Sequence, residues 1–152
     1  MTAGPPPRFR SASRDDVPAV MALLREDLLG AVREGHDPAT YLAAFDSMLA
    51  EGNNHLIVAD GGDGIIACYQ ITFISGLSLS ATRRAQIEGV RVAPAHRGRG
   101  IGEALIRDAE ARARAAGCRL LQFTTNKARR DAHRFYDRVG FTPSHIGYKK
   151  PL

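Results

Sequence analysis

Val90-Arg91-Val92-Ala93-Pro94-Ala95-His96-Arg97-Gly98-Arg99-Gly100-Ile101-Gly102 reads as a strand that passes through a turn into a helix. The turn begins at Ala93-Pro94, because proline cannot donate to a sheet ladder. Beyond it Ile101, Leu105, Ala109, Ala113 and Ala116 fall at helical spacing and trace one side of a long helix that stops at Gly117. Glycines at 98, 100 and 102 let the backbone approach a ligand without Cβ obstruction, and the first amides of a helix have no internal partner. Amides converging at a helix N-terminus bind phosphate, and His96, Arg97 and Arg99 add charge at the same place. A Walker loop would need Gly-Lys-Ser/Thr where Gly100-Ile101-Gly102-Glu103 stands. A dinucleotide-binding turn would need G-x-G-x-x-G, a spacing these glycines do not supply. The remaining alternative, a glycine-rich connection without a ligand, is disfavoured by the basic residues and by the strand-to-helix context.

The flanking segments fill in a mixed α/β pattern. Residues 8–13 alternate as a first strand, and Ser13 with Asp16 resembles a capping box opening a helix that carries Val17, Val20, Met21, Leu24 and Leu28. Residues 30–38 read as a loop, followed by a helix with Tyr41, Leu42, Phe45, Met48 and Leu49 and a stop at Gly52-Asn53-Asn54. Residues 55–60 and 65–74 are β-branched-rich strands around Asp60-Gly61-Gly62-Asp63-Gly64, a hairpin signal. A third strand spans 84–92. Residues 120–124 form a short apolar strand of the kind found inside sheets, 132–139 a helix closed by Gly140, and 141–149 leave room for a final strand or hairpin. Antiparallel strands followed by a strand-helix-strand crossover define the order.

At 152 residues, with 44% hydrophobic and 24% charged content, the chain has the size and composition of one globular domain. We expect a flexible lead-in over 1–7, which contains Pro5-Pro6-Pro7, and a single domain over 8–152. No apolar run approaches the roughly 20 residues of a membrane helix. The start, MTAGPPPRFR, lacks the basic flank and apolar stretch of a secretory signal, so the expected location is cytoplasmic. Cys68 and Cys118 have no ligand-spaced neighbours and read as reduced core residues; no metal is expected. The net charge of +5 favours anionic ligands without choosing among them.

Arg97-Gly98-Arg99-Gly100-Ile101-Gly102 resembles the Arg/Gln-x-x-Gly-x-Gly/Ala signature of the GNAT N-acetyltransferase superfamily. Asn126, Ala132-His133-Arg134-Phe135-Tyr136 and Gly140-Phe141 resemble that family's second half-site, in the same order. The resemblance implies an α/β fold with a mixed, mainly antiparallel central sheet flanked by helices, a strand-helix-strand crossover and splayed central strands. It implies acetyl-CoA as co-substrate, an amine acceptor, and a homodimer as a family-level expectation. The Arg97 to Gly102 bend would hold the pyrophosphate. Val90, Arg91 and Val92 would belong to the central strand, with the main chain of Val90 and Val92 pairing the pantetheine amides and an amide near Val90 facing the thioester oxygen.

Tyr136 is the candidate acid for the departing thiolate, its phenol titrating near 10 against about 8.5 for a thiol; the alternative is aromatic filling. Glu88, two residues before Val90, shares its face under strict strand alternation and is the candidate base through a water; the alternative is a strand glutamate paired with Arg84 or Arg91. Asn126 either bonds pantetheine or caps the turn before its helix. His133 is a secondary candidate near coenzyme A, and Arg129, Arg130 and Arg134 could meet the adenosine phosphates or solvent. Arg107, Arg112 and Arg114 lie on the polar side of the long helix.

Acceptor choice would rest on residues 30–38, on the strand around Phe73 and Ser75, and on residues 144–148, which together carry Arg33, Glu34, His36, Asp37 and His145. That mixture defines no single chemical class. Two other readings remain: a sensor that binds acyl-CoA without turnover, and a basic nucleic-acid module. The second is disfavoured, because aromatic residues make up 7% and the arginines are dispersed rather than clustered on one element.

Overall fold

The computed structural model describes residues 5–26, 35 and 37–152. The chain divides into two compact units, Met1–Gln122 and Phe123–Leu152. The first contains β1 (Arg8–Ser11), α1 (Val17–Arg25), α2 (Pro38–Glu51), β2 (Asn54–Asp60), β3 (Ile65–Ile74), β4 (Arg84–Val92), α3 (Ile101–Ala115) and β5 (Leu120–Gln122). Its sheet runs in the order β1-β2-β3-β4-β5, antiparallel throughout except for the parallel β4–β5 pair. A parallel neighbour requires a crossover, and α3 is that connection.

Alternation divides the core between the two faces of the sheet. Ile57 stands opposite Tyr69 and Ile71 opposite Ile87, all fully buried, and α3 covers this face with Leu105, Ile106 and Ala109. On the other face Val58 and Cys68 pack with Val20 and Leu23 of α1, and Phe45 of α2 packs in turn against Val17 and Met21. Both cysteines are free and buried, and burial pushes the Cys68 thiol up to about 12 against the opposing charge of Arg91.

The expected capping box forms. The Asp16 carboxylate accepts from the Ser13 amide at 2.7 Å and from Ser13 Oγ at 3.1 Å. It also receives a bidentate Arg10 guanidinium at 2.7 and 3.0 Å, which holds the Asp16 carboxyl at about 2. The box sits on a 3-10 turn, Arg14–Asp16, that leads into α1. Pro38 opens α2 rather than closing a loop, because Asp37 Oδ1 caps the Ala39 amide at 3.0 Å. Leu28, Arg33, Glu34 and His36 lie outside the described residues.

Two expectations change, and one connection takes an unforeseen form. The apolar strand expected inside the sheet is its edge, shortened to Leu120–Gln122, and Leu120 is exposed. Its apolar run reflects the α3 crossover behind it rather than strands on both sides. The β3–β4 connection is a single left-handed turn, Ser78–Ala81, with Leu79, Ser80 and Ala81 at φ between 54° and 58°. In the second unit, α4 (Arg130–Arg138) is followed by residues 141–152 without regular structure, where Pro143 and Pro151 withhold ladder donors.

Candidate functional site

β4 carries an irregularity that pattern reading does not detect. Gln70 faces Glu88 and Cys68 faces Arg91, so between these pairs two residues of β4 oppose one of β3. The extra residue is a bulge at Gly89-Val90, and Gly89 takes φ +59°, a value that glycine adopts without penalty. Opposed residues share a face, so Glu88 falls on the same face as Arg91, while Val92, opposite Ala67, falls on the other. The alternation that placed Glu88 with Val90 therefore does not run through this segment. Arg91 is 8% exposed, with Nη1 donating to the Val90 carbonyl at 2.9 Å.

β5 pairs with β4 only from Arg84↔Leu120 to Gln86↔Gln122. Past that point residues 87–92 have β3 on one side and no described strand on the other. The outward amides and carbonyls of such an edge are open to a peptide-like ligand.

The chain leaves β4 through a 3-10 turn, Pro94–His96, and reaches α3 through two left-handed glycines, Gly98 at φ +73° and Gly100 at φ +79°. A Cβ at either would meet nothing within 4 Å, so backbone conformation rather than internal packing calls for glycine here. Arg97 Nε donates back to the Val92 carbonyl at 3.1 Å and ties the bend to the end of β4. The first α3 bond runs from the Ala104 amide to the Gly100 carbonyl at 3.1 Å. The amides of Ile101, Gly102 and Glu103 thus have no intrahelical acceptor and point out of the helix start, where the helix dipole is positive. Ile101 is 8% exposed and anchors that start in the core. A helix start of this geometry suits an anion cradle, with Arg97 and Arg99 exposed at its rim.

Within the second unit Asn126 Oδ1 accepts from the Ala128 amide at 2.9 Å, so its carboxamide closes the turn before α4. His133 Nε2 lies 2.9 Å from the Asn126 carbonyl and holds the same turn. The Tyr136 ring packs 4.1 Å from Phe123 and 5.9 Å from Phe141 between ring centroids, and the Phe141 amide donates to the Tyr136 carbonyl at 3.0 Å. Tyr136 is half-buried, and the neighbouring Phe135 ring lies 5.2 Å from it between centroids. Arg134 is ion-paired with Asp131 on its own helix.

The sequence reading passed over a buried chain joining β3 to α3. Tyr69 is fully buried, and its hydroxyl donates to Asp108 Oδ2 at 2.5 Å; Arg112 Nε donates to the same oxygen at 2.8 Å. Burial, followed by the Asp108 partner, pushes the Tyr69 phenol well above its ordinary value and keeps it protonated. The Asp108–Arg112 spacing was visible along the helix, but Tyr69 resembled one more apolar strand residue.

A family model described as the acetyltransferase (GNAT) family matches residues 17–141. The aminoalkylphosphonate N-acetyltransferase of Salmonella typhimurium is 33% identical over 144 residues, covering 95% of this chain and 90% of that protein. Streptothricin acetyltransferase of Streptomyces lavendulae is 39% identical over 94 residues, covering 60% of this chain and 46% of that one. The crystal structure of a transcriptional regulator from Bacillus halodurans C-125 superposes with a TM-score of 0.91 at 41% identity, covering 96% of this chain and 99% of that one. The anion cradle at the start of α3, the open edge of β4 and these matches agree: the chain belongs to the GNAT family of acetyltransferases.

Proposed function

We propose that the protein transfers an acetyl group from acetyl-CoA to a primary amine by direct attack within a ternary complex. The observation that carries this reading is the bend at 97–102, with two left-handed glycines, the outward-pointing amides of a helix start and a pinned arginine, directly after a strand edge with no described strand beside it. Coenzyme A would place its pyrophosphate on the amides of residues 101–103 and its pantetheine along β4 at Val90 and Val92. The thioester carbonyl would then lie where a β4 amide stabilises the oxyanion.

In the reaction the amine lone pair forms the C–N bond, the carbonyl oxygen takes up charge, and the C–S bond breaks as the carbonyl re-forms. Glu88 accepts the proton lost from nitrogen through a water, and Tyr136 supplies one to the departing thiolate. Asn126 and His133 act by shaping the turn that precedes α4. An aminoalkylphosphonate is included in the acceptor panel, on the name of the Salmonella relative.

Thermal unfolding with and without acetyl-CoA tests the carrier. Ligand at about 100 times its Kd adds about 2.7 kcal/mol, and no shift at millimolar carrier would defeat the proposal. Thiol release dependent on added amine tests transfer. The name of the Bacillus halodurans structure favours a second, regulatory reading, which salt-sensitive DNA retention without amine-dependent thiol release would support.

A further inference from the structure

β4 presents its other face to something besides the core. Asn54 stands opposite Thr72, Thr72 opposite Gln86, and Gln86 opposite Gln122, which sets four polar side chains in one row across β2 to β5. One step along, Gln70 stands opposite Glu88. On the reverse face of the same strands Ile71, Ala85 and Ile87 are at most 1% exposed. The row is half-buried, and Glu88 at its corner is exposed. Gln86 and Gln122 are also the last pair before the β4–β5 ladder stops, so the row ends where the strand edge opens.

The hydrogen-bond inventory separates this row from an ordinary solvated face. Asn54 is engaged at both ends of its carboxamide: Nδ2 donates to Glu51 at 2.8 Å, while Oδ1 accepts from Gln70 Nε2 at 2.8 Å and from Thr72 Oγ1 at 3.3 Å. Gln122 Nε2 donates to Gln86 Oε1 at 3.1 Å. However those two carboxamides are turned, their mutual bond leaves one carbonyl and one amino group over. The Gln70 carbonyl is likewise unengaged among the described residues. Three long side chains have thus given up rotamer freedom to hold two acceptors and one donor beside a carboxylate.

Among the described residues the cations nearest on this face are Arg84 and Arg91, and both are turned away from the row. Arg84 Nη1 lies against Gly76, 3.2 Å from where a Cβ would stand, and Arg91 Nη1 is bonded to the Val90 carbonyl. A dianionic group would need such cations, whereas neutral carboxamides match a hydroxyl or an amide.

Resting on the acetyltransfer reading above, we infer that Gln70, Gln86 and Gln122 select the acceptor: a primary amine bearing an uncharged hydrogen-bonding group, with its amine toward Glu88. The test compares kcat/KM for 2-aminoethanol, glycinamide, propylamine and 2-aminoethylphosphonate in wild type and in the Gln86→Leu/Gln122→Leu variant. 2-Aminoethanol and propylamine differ only by OH for CH3. Wild type should prefer the first two amines over propylamine by about tenfold, and in the variant that ratio should fall to about two or less.

An unchanged ratio in the variant, a preference for the phosphonate, or no turnover of any of the four overturns the inference. Carrier-induced stabilisation, measured alongside, shows whether the acetyltransfer reading has failed as well. If the double variant does not fold, Gln122→Met, which keeps chain length and apolar volume, is held to the same ratios.

Discussion

Replacing Gly100 separates the two reasons a glycine stands in the anion cradle. At φ +79° and ψ 4°, an alanine pays the left-handed penalty of about 1–2 kcal/mol, and the open space around its Cβ adds no clash in the free protein. For a chain of this size, that lowers the Tm of the unliganded protein by about 2–8 °C. Asparagine tolerates left-handed backbone, so Gly100→Asn should cost well under half as much. Toward coenzyme A the two variants should behave alike, because both place a Cβ between the α3 amides and the pyrophosphate. Differential scanning calorimetry at several acetyl-CoA concentrations reads both effects. Stabilisation of about 2.7 kcal/mol in wild type, at 100 times its Kd, should fall below about 0.5 kcal/mol in both variants. If Gly100→Asn retains the full ligand shift, the backbone does not approach the phosphates at this residue and the cradle has been misread.

Tyr136→Phe should lower kcat at least tenfold while the acetyl-CoA Kd from calorimetry stays within about twofold, since the ring packing against Phe123 and Phe141 remains; unchanged turnover removes the acid role. Glu88→Gln should abolish the acidic limb of the kcat/KM pH profile, and a limb that persists assigns the base elsewhere. Tyr69→Phe removes a buried donor to a charged acceptor, so urea unfolding should show a loss of about 1.5–3 kcal/mol with m unchanged. A loss under about 0.5 kcal/mol would mean that α3 is held to β3 by packing alone.

The Asp16 carboxyl lies below its unfolded value of 3.8, so its contribution is present above that pH and is lost as pH falls toward about 2. Discounted for the 35% exposure of the Arg10 side chain, Asp16→Asn should cost about 1 kcal/mol at pH 7, and its stability curve should meet that of wild type near pH 2.

How much was legible depended on whether the determining contacts are local. The capping box at Ser13 and Asp16, the hairpin at residues 60–64 and the bend at 97–102 are set by residues a few positions apart, and their dihedral and hydrogen-bond demands are written in residue type. The bounds of β3 and β4 were legible for the same reason, from β-branched content and from the break at Ala93-Pro94. The C-terminal strand failed because ladder partners, not apolar content, decide whether a segment becomes a strand. The edge position of β5 failed likewise, since a short apolar run looks the same at the centre of a sheet and at its margin.

The sequence by itself determined the family, the order of elements and the glycine turn at 97–102, all of which depend on short-range spacing. Only the tertiary structure decided the bulge at Gly89, which moves Glu88 onto the face of Arg91, the Tyr69–Asp108 link, and the polar row from Asn54 to Gln122. Each of these depends on how distant segments register and pack, and that is fixed by the summed packing of residues far apart in the chain, so no single segment can reveal which side chains will meet.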